Sequence, residues 1–270
     1  MRNAFSEEIF EHIKKNKNIY IVAADISPSG KMAEISKKND KQIINVGVAE
    51  QVMTGVAAGL AMDNNKVFCY TIAPFALYRP FEFVRDDLCL QMLPVTVVGM
   101  GAGTIYSELG PTHTSIEDIS VARSLPNLKI IVPCDGLELK EAIKFCLKNK
   151  KGPVYLRIGK SGEKNFTQKC RNKWIFGKIR RILKGEKVCI LTYGPTVKLA
   201  FELNNLCKEN FSIYSCHTLE PFDKKGLNLI LKKYKKIICI EDHIETGGLK
   251  TIICENLIEK NIAMKYFFIP

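Results

Sequence analysis

The chain has 270 residues, of which 46% are apolar, and its formal net charge is +12. This is enough material for one large or two ordinary domains, and no run approaches the roughly eighteen apolar residues of a membrane span. The ten cysteines stand singly, without C-x-x-C spacing, which argues against a zinc site or a disulfide framework and suits a reducing cytoplasm.

The first 160 residues alternate between short β-rich apolar runs and helical patterns. Strands are predicted at 19–24, 42–46, 67–72, 95–100, 129–132 and 153–158. Helices are predicted at 4–16, 48–62, 79–91, 116–124 and 136–149. Such alternation is typical of a mainly parallel sheet covered by helices on both faces. We therefore predict an α/β domain over residues 1–160.

A polar stretch without periodicity, residues 161–177, follows and is interpreted as a linker. Strands predicted at 188–193, 211–215 and 236–241 indicate a smaller α/β domain over residues 178–270. Residues 161–270 hold 20 Lys and Arg against 11 Asp and Glu. No nucleic-acid motif accompanies this excess, so we interpret it as a solvated lysine-rich surface rather than a nucleic-acid interface.

Unusual residues follow several predicted strands of the first domain. Ligands of such folds bind outside the carboxyl ends of the strands, and these ends meet at one edge of the sheet. The residues concerned are DISPS (25–29) after the first strand, Asn45 to Glu50 after the second, Phe75 and Tyr78 after the third, GMGAG (99–103) and GPTH (110–113) after the fourth, and Arg157 at the end of the sixth. This clustering predicts a binding site at that edge.

Glu50 heads the apolar segment VMTGVAAGLA, in which no charged residue occurs before Asp63. An acid in the first turn of a helix opened by Asn45 or Gly47 would complement the helix dipole. Alternatively, the small residues that follow predict close packing and burial of Glu50 near an interface. A buried carboxylic acid that stays neutral can donate a hydrogen bond in catalysis.

Several motifs occur in a specific order: GVAEQ (47–51), GPTH (110–113), LPN (125–127) and GPVYLR (152–157). TYGPTV (192–197), TLEPFD (218–223) and EDHIETGGL (241–249) continue the series. With these motifs the chain resembles transketolases over nearly its whole length. The resemblance implies a pyrimidine-binding domain followed by a transketolase C-terminal domain.

The resemblance also implies a thiamine-diphosphate-dependent ketol transfer, in which the cofactor moves a two-carbon unit from a ketose to an aldose. Glu50 matches the catalytic glutamate that hydrogen-bonds to N1′ of the aminopyrimidine ring, and Phe75 matches the aromatic residue that stacks on this ring. Three further cofactor contacts are implied. Tyr78 is a neighbouring aromatic residue, Asp25 is an acid near the cofactor and the subunit interface, and Ile72 stands where transketolases often have another aromatic residue.

On the substrate side, His113 matches a catalytic, substrate-facing histidine, and Ser29 and Arg157 match donors to a substrate phosphate. Two positions depart from the family pattern. Leu109 replaces an acid before GPTH, and Gly101 replaces a histidine. Because both family residues contact the sugar, these changes predict a deoxygenated or otherwise modified sugar substrate.

Transketolases also carry an earlier domain that binds the diphosphate through Mg²⁺, with a Gly-Asp-Gly start. The nearest string here is CDG (134–136), without the downstream asparagines. We therefore predict no metal site in this chain. The expected assembly is a split transketolase in the cytoplasm, in which an N-terminal partner subunit supplies the diphosphate site and Mg²⁺, with two copies of each chain.

Four other interpretations stay open at this point. A 1-deoxy-D-xylulose-5-phosphate synthase shares the fold and the glutamate, and would release carbon dioxide from pyruvate. The β chain of a 2-oxo acid dehydrogenase has the same two domains, but GPTH and GPVYLR argue against it. A non-catalytic regulatory subunit is disfavoured because Glu50, Phe75, His113 and Arg157 are all present. A nucleic-acid-binding protein is the least supported reading.

Overall fold

The computed structural model describes residues 1–25, 31–38, 41–160, 162–207, 210–257 and 263–269. Six parallel strands build the first sheet: β1 (Ile19–Ala23), β2 (Ile43–Asn45), β3 (Lys66–Ile72), β4 (Thr96–Met100), β5 (Lys129–Ile131) and β6 (Val154–Ile158). A seventh strand from the second half of the chain, β10 (Thr218–Glu220), pairs antiparallel with β5. The order is β10-β5-β6-β4-β3-β1-β2. The predicted α/β fold with a mainly parallel sheet is confirmed.

Helices precede or connect the six parallel strands of the first sheet. They are α1 (Arg2–Ile13), α2 (Lys31–Lys38), α3 (Glu50–Met62), α4 (Ala73–Leu77), α5 (Phe81–Phe83), α6 (Asp118–Arg123) and α7 (Gly136–Lys148). A π-helix (Val84–Leu90) continues α5, and two 3₁₀ turns (Ser107–Leu109, Pro111–His113) follow β4. The predicted helix at 79–91 is thus divided, and α4 was not predicted because five residues are too few to show a period.

The second sheet contains β7 (Arg180–Leu183), β8 (Val188–Thr192), β9 (Ser212–Ser215), β11 (Lys236–Ile240) and β12 (Ala263–Phe267). Its order is β12-β11-β8-β9-β7, and all neighbours are parallel except β7 and β9. Three helices accompany it: α8 (Val197–Leu206), α9 (Lys224–Lys233) and α10 (Leu249–Glu255). Each predicted strand of this half is present. The edge strands β7 and β12 are additional.

Apolar side chains cover both faces of the first sheet. On one face, α1 and α7 contribute Phe5, Ile9 and Ile143. On the other face, Met53 of α3 belongs to a core that continues without interruption to Tyr193 in the second half. The two sheets therefore share buried apolar surface, the main source of stability of such an arrangement.

Candidate active site

A cavity of about 520 Å³ opens at the carboxyl edge of the first sheet. Parallel strands bring residues that are distant in sequence to this edge, because each strand delivers its last residues to the same side. The lining consists of Arg2, Ala24, Asp25, Val48, Glu50, Thr71, Ile72, Phe75, Arg79, Met100, Tyr106, His113 and Lys160. Five of the eight predicted site residues are among them, namely Asp25, Glu50, Ile72, Phe75 and His113.

Glu50 is the first residue of α3 and is 3% exposed. Neither Asn45 nor Gly47 caps the helix. Instead, the Asn45 side chain accepts a hydrogen bond from the Gly47 N–H (3.0 Å), and Gly47 adopts a left-handed φ of 72°. This turn, which glycine tolerates well, leads the chain to the helix start. Arg79 Nη1 donates to Glu50 Oε1 at 2.9 Å, so the carboxylate has both a cation and a helix N-terminus beside it.

Phe75 lies on α4, directly after β3. Its ring centroid is 5.0 Å from that of His113, and the two planes meet at 77°. The guanidinium carbon of Arg79 lies 4.0 Å from the Phe75 ring centroid. His113 Nδ1 is 3.0 Å from the Thr112 hydroxyl oxygen. An aromatic ring, an imidazole and a buried carboxylate thus share one cavity, a suitable set for binding a polar heteroaromatic ring.

Asp25 and Ile72 also line the cavity, at the ends of β1 and β3. Asp25 has a φ of 40°, which aspartate accepts more readily than most residues. The predicted residue Ser29 lies outside the described residues. The structure therefore places the three carboxyl-edge residues Asp25, Glu50 and Ile72 together with Phe75.

Tyr78 is not among the residues that line this cavity. Its hydroxyl group donates to Glu117 Oε2 at 3.1 Å, and its ring lines a separate cavity with Phe81 and Ser120. Burial and the nearby carboxylates raise the pKa of Tyr78 above its ordinary value. Because Glu117 precedes the first residue of α6, the Tyr78 hydroxyl group is directed toward the start of α6.

Arg157 is also not brought into the cavity. It lies on β6, between β4 and β5, and is 1% exposed. Its Nε donates to Asp118 Oδ2 (2.7 Å), and its Nη1 donates to Asp242 Oδ1 (3.0 Å). Burial raises the pKa of Asp242, and the Arg157 guanidinium opposes this shift. Because Asp242 follows β11 of the second sheet, this ion pair joins the two sheets.

Two cations that line the cavity, Arg2 and Lys160, were not predicted. The Arg2 N–H donates to the Lys160 carbonyl oxygen at 2.8 Å, which places the start of α1 beside the chain that leaves β6. Lys160 Nζ lies 4.8 Å from the Tyr106 ring centroid. The position of Lys160 in the sequence could have indicated it as a site residue, because it lies two residues beyond Ile158, the last residue of β6. Arg2 had no comparable signal.

Gly101 and Tyr106 determine the shape of the adjoining wall. Gly101 has a φ of 65°, and a Cβ atom there would lie 1.9 Å from Tyr106 Cε2. The Tyr106 ring therefore uses space that any larger residue at position 101 would need. Leu109 is 57% exposed in its 3₁₀ turn.

No group of three or more His, Cys, Asp and Glu side chains within the described ranges is arranged to hold a metal ion. Among the helices of the described residues, none is long and apolar enough to cross a membrane.

Comparisons with known proteins identify the family that the chain matches. Residues 1–162 match the family "Transketolase, pyrimidine binding domain", and residues 177–266 match "Transketolase, C-terminal domain". The chain is similar to a subunit of apulose-4-phosphate transketolase from Phocaeicola vulgatus, at 29% identity over 100% of this chain and 87% of the relative. It is also similar to "Putative transketolase C-terminal section" of Methanocaldococcus jannaschii, at 32% identity over 98% and 84%. A solved structure, "Split gene transketolase, inactive beta4 tetramer", has a TM-score of 0.87 at 27% identity and covers 99% of this chain and 87% of that chain.

Proposed function

Because the chain belongs to the transketolase family, we propose that it is the C-terminal subunit of a split, thiamine-diphosphate-dependent transketolase. The reaction is the transfer of a two-carbon ketol unit from a ketose to an aldose. The observation that carries this proposal is the buried Glu50 carboxylate in one cavity with Phe75 and His113. Removing a carboxylate from water costs free energy, and a buried carboxylate that lines a cavity, here beside Arg79 and a helix N-terminus, is typical of a functional site.

The cavity fits the pyrimidine half of the cofactor. Glu50 would hydrogen-bond to N1′ of the aminopyrimidine ring, Phe75 would stack on the ring, and Ile72 and Asp25 would complete its pocket. When bound, the cofactor supplies a nucleophilic carbon at C2 of its thiazolium ring. Glu50 would hold or release a proton at its carboxyl group opposite N1′, and its burial would limit the access of bulk water to this contact.

His113, Arg2 and Lys160 form the substrate side. His113 donates a hydrogen bond to a polar oxygen of the sugar. Arg2 and Lys160 supply positive charge for an anionic group on the sugar, because Arg157 is engaged with Asp118 and Asp242. Ser29, four residues after Asp25 in the sequence, is proposed as a further donor. Gly101 and Tyr106 give the wall an apolar ring where a hydrogen-bonding histidine is common in transketolases.

The substrate proposed for this site is therefore a sugar phosphate whose hydroxyl group at the Tyr106 wall is either missing or attached at a different position. A name among the relatives points the same way, since apulose 4-phosphate is not one of the ordinary sugar phosphates xylulose 5-phosphate and ribose 5-phosphate. The face of the Tyr106 ring offers no conventional hydrogen bond to a hydroxyl group packed against it, which costs that hydroxyl about 1–3 kcal/mol.

The proposed partner is an N-terminal subunit that binds the diphosphate through Mg²⁺, with two copies of each chain in a heterotetramer. Three apolar side chains near the site are each more than half exposed: Val48 just before α3, and Val52 and Met62 on α3. Exposed apolar surface of this kind is suited to a subunit interface. All ten cysteines are free thiols, which supports a reducing cytoplasm as the location.

The test is reconstitution. The purified chain, a candidate N-terminal subunit and their mixture are assayed for Mg²⁺-dependent cofactor binding by calorimetry and for ketol transfer over a panel of ordinary, deoxy and branched sugar phosphates. Only the mixture is expected to bind the cofactor tightly and to transfer the ketol unit. Tight cofactor binding by the isolated chain would contradict the proposal that a partner subunit binds the diphosphate. Release of carbon dioxide from pyruvate without ketol transfer would instead identify a 1-deoxy-D-xylulose-5-phosphate synthase.

A further inference from the structure

Arg79 contacts both Glu50 and Phe75, the two residues proposed above to bind the aminopyrimidine ring of the cofactor. Its Nη1 donates to Glu50 Oε1 at 2.9 Å, and its guanidinium carbon lies 4.0 Å from the Phe75 ring centroid. Phe75 and Arg79 are four residues apart, and α4 and the turn after it bring their side chains to one side. One planar cation therefore links the carboxylate and the aromatic ring.

The two ends of this ion pair differ in their exposure to water. The Glu50 side chain is 4% exposed, whereas the Arg79 side chain is 45% exposed. A carboxylate that is removed from water needs a partner more than an exposed guanidinium does. The ion pair therefore matters mainly for Glu50, because Arg79 compensates the carboxylate charge and fixes the orientation of the carboxylate through the hydrogen bond to Oε1.

The shape of the guanidinium explains why an arginine suits this position. Its flat face can pack on an aromatic ring while an edge N–H donates in the plane. A lysine ammonium is a compact charge that can pair with Glu50 but cannot stack in this way. The geometry thus couples the orientation of the Phe75 ring to the orientation of the Glu50 carboxylate.

We propose that Arg79 is a positioning residue for cofactor activation. It holds Glu50 and Phe75 in the mutual orientation that the aminopyrimidine ring requires. It also compensates the charge of the Glu50 carboxylate while that group is ionised. Since the role is defined toward thiamine diphosphate, the inference rests on the proposed function.

The first experiment uses the isolated chain and needs no partner. Thermal unfolding is measured for Arg79→Met, Glu50→Gln and the double variant, with Arg85→Met as the matched control. Arg85 pairs with Asp86 at the surface, where both side chains are more than 40% exposed. Arg79→Met is expected to lower the unfolding temperature, and to lower it less when Glu50 is already glutamine. Equal effects of Arg79→Met in both backgrounds would show that the two residues are not coupled and would overturn the proposal.

The second experiment uses the reconstituted complex. Cofactor affinity is measured by calorimetry, and exchange of the cofactor C2 proton is measured by NMR as a function of pH. Arg79→Met is expected to weaken binding about 10- to 100-fold, the range for a charge-assisted hydrogen bond. It is also expected to shift the pH profile of the exchange. Arg79→Lys is expected to restore part of the pH profile, because it keeps the charge, but little of the affinity.

The outcomes distinguish a failure of the proposed function from a failure of the role proposed for Arg79. If the unsubstituted complex neither binds the cofactor nor exchanges its C2 proton, the proposed function fails and this inference fails with it. If the unsubstituted complex does both and Arg79→Met matches it, Arg79 is only structural and the inference alone is overturned. Tighter cofactor binding by Arg79→Met would identify Arg79 as a competitor of the pyrimidine ring, which also contradicts the proposed role.

Discussion

Replacement of Arg157 by methionine tests whether this residue joins the two sheets or contacts substrate. Arg157 is 1% exposed and pairs with Asp118 and Asp242. Methionine fills much of the same volume but leaves two buried carboxyl groups without their cation. Breaking a buried ion pair by removing one partner costs about 3–5 kcal/mol. In a chain of this size that loss corresponds to a decrease of roughly 10 °C in the unfolding temperature.

The effect is expected to depend on pH. Burial raises the pKa of Asp242 and Arg157 opposes this, so removal of Arg157 lets the pKa rise further. A carboxyl group whose folded-state pKa is raised stabilises the fold at low pH and loses this contribution as the pH rises. The destabilisation by Arg157→Met should therefore be smaller at pH 5 than at pH 8. It should also be reduced when Asp118 and Asp242 are replaced by asparagine.

Unfolding of the isolated chain followed by circular dichroism measures this stability, and Arg85→Met serves as the surface control, for which a change below about 1 kcal/mol is expected. Unchanged stability of Arg157→Met, together with a raised KM for an anionic sugar in the reconstituted enzyme, would show that Arg157 contacts substrate rather than joining the sheets. That result would restore the assignment of Arg157 to the substrate phosphate.

Three further predictions follow from the site and its surroundings. In the reconstituted enzyme, Glu50→Gln should slow exchange of the cofactor C2 proton on the order of 10²-fold with little change in unfolding temperature, and unchanged exchange would assign Glu50 a structural role. Lys160→Gln should raise KM for a phosphorylated sugar more than for its unphosphorylated analogue, whereas equal effects on both would separate Lys160 from anion recognition. Burial raises the pKa of Glu241 from 4.5 to about 7, so its stabilising contribution is complete below pH 4.5 and is lost as the pH rises through 7. Glu241→Gln should reduce the change of the unfolding free energy with pH, measured by urea denaturation, by up to about 3 kcal/mol. The same pH dependence in the variant and in the unsubstituted chain would contradict the raised pKa of Glu241.

The sequence was sufficient to predict the parallel sheet, because its strands are short, apolar and separated by helical patterns. β1, β3, β4 and β6 lie within one residue of their predicted bounds. β10 could not be predicted in the same way. It has three residues, and it forms only because β5, almost ninety residues earlier, offers an edge for antiparallel pairing. A pattern within one segment carries no information about such a distant partner.

The sequence by itself also predicted at which edge of the sheet the candidate site lies and which motifs contribute to it. Glu50, Phe75, His113, Asp25 and Ile72 follow strands in the chain, and parallel strands bring such residues to one edge. Only the tertiary structure decided which neighbouring side chains face the cavity. Arg157 and Lys160 are three residues apart in GPVYLRIGK, yet Arg157 is held by carboxylates from α6 and from the loop after β11, while Lys160 lines the cavity. The physical reason is that a buried cation takes its position from partners that compensate its charge, and those partners come from distant parts of the chain.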